Sequence, residues 1–267
     1  MRRGTEQNPP VFVVSTGRAG SRMIAWALGT VDSVFAVHEP LPHLVTEAYL
    51  RWRGRLSGED AEMAVRHKRE NLYWQVLKNG LTYVESAHYC SHFIPELDRI
   101  FGARFVFLHR NPADFVRSGL RRGWYAEPDL RERLYGFVRR RWRIEVGDLW
   151  RDHRLDPPPE FESRLERLAW LWCEINGTIL DGLESVDPER CFELRLDSVG
   201  RDRFRELLEF IGVPADADVV ERMIRTAAER PDKEPLRERA SGSDTPWDER
   251  ALQRITGRMA RRLGYDG

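Results

Sequence analysis

The sequence predicts an α/β fold, a parallel sheet with helices on both faces. Two segments carry that expectation: residues 11–26, VFVVSTGRAGSRMIAW, and residues 104–118, RFVFLHRNPADFVRS. In each, a continuous apolar run of the kind found in strands buried on both faces enters a turn and then a stretch with helical spacing. The third observation is that strand-like and helix-like segments go on alternating along most of the chain.

In order, Val11–Ser15 is the first strand and residues 20–29 the first helix. Val34–His38 is a second strand, stopped at Glu39-Pro40 because proline ends regular structure. Residues 43–53 and 59–78 have helical spacing and many charges, and Leu81–Ser86 is a strand. Residues 92–101 are helical with Pro95 in the first turn, and Arg104–His109 is an apolar strand. Asn111-Pro112 is an N-cap followed by proline at the first helical position, so a helix is expected over 112–121. Long amphipathic helices are expected at 129–152 and 161–184, on either side of the DPPPE break at 156–160. Cys191–Arg195 is the last strand; 201–211, 216–229 and 247–263 are helical. The polar, proline-bearing stretch 231–246 reads as a surface loop and a candidate lid.

Length and composition fit a single soluble domain spanning residues 1–267. The hydrophobic fraction is 41%, the charged fraction 32% and the formal net charge zero. No global field therefore draws the chain to nucleic acid or to a membrane surface. Charge is uneven locally: residues 115–145 hold nine Arg against four Asp or Glu, either a solvated helix face or a functional basic rim. Cys90, Cys173 and Cys191 are odd in number and widely spaced, which argues for reduced thiols rather than a disulfide framework or zinc site. No leader-like segment and no run of about 20 apolar residues is seen, so a cytoplasmic location and no membrane span are expected.

The two turns carry the chemistry. A helix N-terminus presents unpaired N–H groups and about half a positive charge, and glycines let that backbone wrap an anion closely. Gly17, Ala19 and Gly20 form such a turn; Arg18 adds a planar cation, Ser21 a hydroxyl and Arg22 a second cation. The Lys-Ser or Lys-Thr step that grips a γ-phosphate and Mg²⁺ in ATP-binding loops does not follow Gly20. Alone, the turn is equally readable as a tight connection. The second turn strengthens it: Arg110 stands at a strand's carboxyl end, where open α/β sheets bind ligands, and Ser118 follows two helical turns on. Two such turns suit a ligand with two separated phosphate-like groups.

Both segments resemble the sulfotransferases that use 3′-phosphoadenosine-5′-phosphosulfate (PAPS). GRAGS at 17–21 is similar to that family's 5′-phosphosulfate loop, and Arg110, Pro112 and Ser118 to its 3′-phosphate site. CFELRLDSV (191–199), RFRELLEFIGVP (203–214) and the ending RRLGY (261–265) extend the resemblance over nearly the whole chain. Ala19 and Arg22 depart from the family's usual Ser and Thr or Ser, and Leu196 from its usual Tyr. The resemblance implies a three-layer, P-loop-like sulfotransferase fold and PAPS as sulfuryl donor, with adenosine 3′,5′-bisphosphate as product. It implies a nucleotide site of Gly17, Arg18, Ala19, Gly20, Ser21, Arg22, Arg110 and Ser118, and no metal.

Sulfuryl transfer needs a proton acceptor and a cation beside the departing phosphate. Arg18 is the candidate cation. Candidate bases at strand ends are His38, Glu39, Glu85 and His88. By resemblance to the tyrosylprotein branch Glu39 is the base, in a strand expected beside the first; by resemblance to the small-molecule branch it is His88. Glu85 is expected to hold substrate or to order the site. Trp52, Trp74, Trp124, Tyr125, Trp142 and Trp150 either wall an acceptor cleft or pack the core. The acceptor is a small molecule or carbohydrate, with a lipid, a glycopeptide natural product or a phenol all open. The competing readings are a small-molecule kinase and a non-catalytic adenosine-bisphosphate-binding protein.

Overall fold

In the computed structural model, which describes residues 8–125, 155–229 and 245–265, five parallel strands form one sheet. They are β1 (Val11–Ser15), β2 (Val34–His38), β3 (Thr82–Ser86), β4 (Arg104–His109) and β5 (Cys191–Arg195), in the order β2-β3-β1-β4-β5. Every residue of β1 and β3 is buried, and β4 is buried beyond Arg104. That burial explains why β1 and β4 read as unbroken apolar runs rather than as alternating ones.

The helices are α1 (Ser21–Leu28), α2 (Val45–Trp52), α3 (Gly58–Lys78), α4 (Ile94–Phe101), α5 (Pro112–Arg121), α6 (Arg164–Leu183), α7 (Arg201–Phe210), α8 (Ala217–Ala228) and α9 (Glu249–Arg262). A short 3₁₀ turn, His88–His92, links β3 to α4. Side chains alternate across the sheet. Val11, Val13 and Val106 join Ile24 and Leu28 of α1 and Phe204, Leu207 and Val220 of α7 and α8 in one core. Phe12 and Tyr83 point the other way, where Phe12 packs on Phe101 of α4 and Tyr83 on Tyr73 of α3. Both faces are thus covered, the three-layer arrangement the alternation predicts.

Local chemistry sets several boundaries. Asn111 accepts from the Ala113 N–H at 2.9 Å and Pro112 opens α5, which spans the predicted 112–121. Ser57 accepts from the Asp60 N–H to cap α3, and Gly102, left-handed at φ 57°, closes α4. The predicted helix at 92–101 splits, because the chain first makes the 3₁₀ turn and α4 begins only at Ile94.

The chain divides into two compact units: 1–110 with 175–234, and 111–174 with 235–267. The first holds the sheet. In the second, α5 packs on α6 so closely that a Cβ on Gly119 would stand 2.5 Å from Leu168 Cδ2. Arg164 donates to the carbonyls of Leu120 and Trp124, and Arg254 pairs with Glu166 at 2.7 Å. The helix expected at 129–152, Trp142 and Trp150, and residues 231–244 of the expected loop lie outside the described residues. Among the described residues no helix is long and apolar enough to cross a membrane.

Candidate active site

The turn after β1 is built by backbone geometry. Gly17, Arg18 and Gly20 all have positive φ, at 70°, 51° and 91°. Arg18 is there at a cost, because its Cβ is crowded in the left-handed region. Gly20 caps α1 with no side chain of its own, and no acidic residue occupies the first turn of α1. A Cβ on Gly20 would stand 2.6 Å from Leu196 Cδ1. Ala19 is wholly buried, so it supports the turn from beneath.

Three neighbours strap this turn down. Gly17 N–H donates to Ser15 Oγ at 3.2 Å, and Ser91 Oγ donates to the Ser15 carbonyl at 3.1 Å. Arg110 Nη1 donates to the Arg18 carbonyl at 3.2 Å. The structure therefore brings Arg110 to the loop itself. Ser118 is buried in α5, in the other unit.

The second cluster stands at the same edge, beyond the ends of β2 and β3. Glu39 does not follow a strand adjacent to β1, as the sequence suggested; β3 lies between β1 and β2. The chain crosses over from β1 to the outer strand and fills the gap only on its return, an order no local pattern reveals. The crossover places His88, just past β3, between the β1 turn and Glu39 in strand order. His88 Nδ1 and Glu39 Oε1 are 3.0 Å apart. The carboxylate can only accept, so Nδ1 carries the hydrogen. The two rival bases are one pair. The Glu39 side chain is 28% exposed and His88 only 4%, so Glu39 is the member of the pair open to solvent.

Glu39 is the second left-handed non-glycine residue of this unit, at φ 50°. Its N–H donates to the Ser86 carbonyl at 3.1 Å. The same carbonyl lies 2.8 Å from His38 Nδ1, and Ser86 Oγ donates to the Ser21 carbonyl at 2.9 Å. Ser86 thereby joins the base side to the start of α1. Sequence reasoning missed it; the available signal was a polar residue ending a wholly buried strand. Burial lowers the His38 pKa, opposed by Glu39 and the Ser86 carbonyl and assisted by Arg22 and His88. His38 Nδ1 carries a hydrogen toward the Ser86 carbonyl, and Nε2 lies 3.8 Å from Glu39 Oε1.

Glu85 cannot touch a substrate. It is fully buried and bound to Arg69, Tyr83 and Cys90. Each described aromatic candidate has its own local setting: Trp124 is buried against Phe115, Tyr125 donates to the Leu155 carbonyl, Trp52 packs on Tyr49 and Trp74 is exposed on α3.

No family model matches the chain, and no curated protein matches its sequence. Solved structures do. The sulfotransferase domain from the curacin biosynthetic pathway aligns over 98% of this chain and 99% of its own, at 17% identity and a TM-score of 0.56. The sulfotransferase domain from a Synechococcus olefin synthase aligns over 100% and 98%, at 15% identity and 0.55. A sulfotransferase from Mycobacterium avium aligns over 97% and 77%, at 16% identity and 0.54. This chain has the sulfotransferase fold. Within that fold, the turn after β1 and the Glu39–His88 pair occupy the carboxyl edge of the sheet, the side where open α/β sheets receive ligands.

Proposed function

We propose that the chain is a sulfotransferase that moves a sulfuryl group from PAPS to a hydroxyl or amine acceptor, a small molecule or carbohydrate, with residues 1–267 acting as one domain. The observation that carries this reading is the pairing, at one sheet edge, of a left-handed turn at a helix N-terminus with a partly exposed carboxylate bonded to a histidine. The turn suits the donor. A glycine whose Cβ would strike Leu196, an α1 start without carboxylates, and Arg18 and Arg22 beside it form a cradle for a phosphate-like group. Residues 17–22 would hold the 5′ end; Arg110 and, by the sequence resemblance, Ser118 would hold the 3′-phosphate.

When bound, the nucleotide supplies the sulfuryl group, whose bond to the bridging phosphate oxygen breaks as the acceptor atom bonds to sulfur. Glu39 takes the acceptor's proton, and His88 Nδ1–H keeps the carboxylate aimed. Arg18 neutralises charge on the departing phosphate. That charge grows only as the bond breaks, so the cation contributes most in the transition state.

Calorimetry tests the nucleotide half of the proposal. Adenosine 3′,5′-bisphosphate is expected to bind far more tightly than adenosine 5′-phosphate, and equal affinities overturn it. Transfer of labelled sulfate from PAPS to a panel of phenols, sugars and amines tests the rest. Binding of the bisphosphate without transfer to any of them would favour the non-catalytic reading.

A further inference from the structure

The residue after Glu39 is proline, which disfavours helical conformations in the residue before it. Yet Glu39 is left-handed, so something must hold it there. The segment that follows is gripped by one side chain. Arg69, in the middle of α3, is fully buried and spends its fork on four partners besides its own helix. Nε donates to Glu85 Oε2 at 2.6 Å, Nη1 to the Pro42 carbonyl at 2.8 Å, and Nη2 to Tyr89 Oη at 3.1 Å and the Pro40 carbonyl at 3.5 Å. Tyr89 Oη in turn donates to the Pro40 carbonyl at 3.4 Å. Tyr83 Oη donates to the same Glu85 oxygen, Oε2, and Cys90 Sγ to the other, Oε1.

A fully buried ion pair is a poor source of stability, because desolvating two charges offsets most of their attraction. What this pair does have is direction. A planar guanidinium presents its donors in a fixed fork. One end is anchored on β3 through Glu85; the other ends on the carbonyls of the first and third residues after Glu39.

We infer that Arg69, anchored by Glu85 and Tyr89, is a positioning residue that clamps residues 40–42 and so fixes Glu39 in the conformation that meets His88 and Ser86. The role of Glu39 as base rests on the function proposed above; the clamp itself does not.

The test reads the clamp directly, by residue-resolved amide hydrogen exchange of the full chain. Arg69→Lys keeps the charge beside Glu85 but loses the fork. The Glu39 amide, bonded to the Ser86 carbonyl, is expected to exchange at least tenfold faster than in the parent. The amides of Val13 and Val106 in β1 and β4, and the affinity for adenosine 3′,5′-bisphosphate, should stay within about twofold. A variant that fails to fold is replaced by Arg69→Met with Glu85→Leu, which removes both charges together, and the same result is expected. Unchanged protection at Glu39, loosening spread evenly over the sheet, or failure of both variants to fold would each overturn the positioning role. Full sulfuryl transfer by Glu39→Gln would remove the base assignment while leaving the exchange result intact.

Discussion

Two turns at one edge of this sheet each force a non-glycine residue into the left-handed region, and they do so by different means. After β1, Arg18 sits between Gly17 and Gly20, both also at positive φ, and the straps come from backbone, serine hydroxyls and Arg110. After β2, Glu39 has no glycine beside it; proline follows, and the restraint comes from buried charge on α3 and β3. The left-handed bend of the first turn comes with glycines of its own, although Ser91 and Arg110 strap it from 76 and 92 positions away. The second depends on residues 30 and 46 positions away in sequence, Arg69 and Glu85. A left-handed turn at a helix N-terminus is largely local backbone geometry, whereas the conformation of Glu39 needs the assembled sheet.

The largest expected effect tests the chemical side. Glu39→Gln keeps the shape and loses the proton acceptor, so transfer from PAPS should slow by roughly 10²–10⁴-fold, the usual worth of a general base. Bisphosphate affinity should not change, because the link from Glu39 to the start of α1 runs through its backbone N–H and Ser86, which Gln preserves. If His88→Ala loses activity and Glu39→Gln does not, the proton goes to the histidine and the two residues exchange roles.

Arg110→Ala bears on the local side. Its guanidinium reaches the Arg18 carbonyl, so it could brace the turn, read a 3′-phosphate or do both. Loss of about 2–4 kcal/mol for adenosine 3′,5′-bisphosphate, with little change for adenosine 5′-phosphate, is expected for a charge-assisted contact to the 3′ group. Equal losses for both nucleotides, measured by calorimetry, would reduce Arg110 to a brace.

The contrast extends to pH. Burial pushes the His92 pKa down to about 4 from 6.5, with His88 and Arg51 adding to the shift. The folded-state pKa lies below the unfolded one, so the unfolded chain binds the extra proton first. The contribution is fully present above about pH 6.5 and is lost as pH falls toward 4. A pKa held that far below its ordinary value corresponds to about 3 kcal/mol at most. Denaturant titrations at several pH values should show that His92→Gln flattens the stability loss between pH 6.5 and 4. An unchanged slope would mean the ring is solvated in the folded chain.

The same contrast explains what could be read in advance. GRAGS, the strand preceding it and the Asn111-Pro112 helix start are local patterns, and they appear where they were expected. The order β2-β3-β1 was not legible, because it depends on where the crossovers land. Nor was Arg69: it lies in a helix so rich in charge that it reads as solvated, and only the buried carboxylate of Glu85 shows otherwise. Glu39 and His88 were each legible as candidates through their strand ends, but their contact, made across 49 residues, was not.

The smallest effect separates the two ingredients of the β1 turn. Gly20→Ala meets a left-handed φ of 91° and a Cβ position 2.6 Å from Leu196 Cδ1. The conformational part costs about 1–2 kcal/mol, and it cannot be relieved by any neighbour. The steric part can, because the obstacle is the end of a flexible side chain. Gly20→Ala should therefore lower stability by about 2 kcal/mol and weaken bisphosphate binding. Adding Leu196→Ala should recover only the steric share, once the cost of Leu196→Ala alone is subtracted in a double-mutant cycle. Full recovery would mean that the turn has moved out of the left-handed region and still holds the nucleotide. In that event backbone geometry would no longer distinguish the β1 turn, and its anion preference would rest on Arg18 and Arg22, making it as dependent on charge as the turn that carries Glu39.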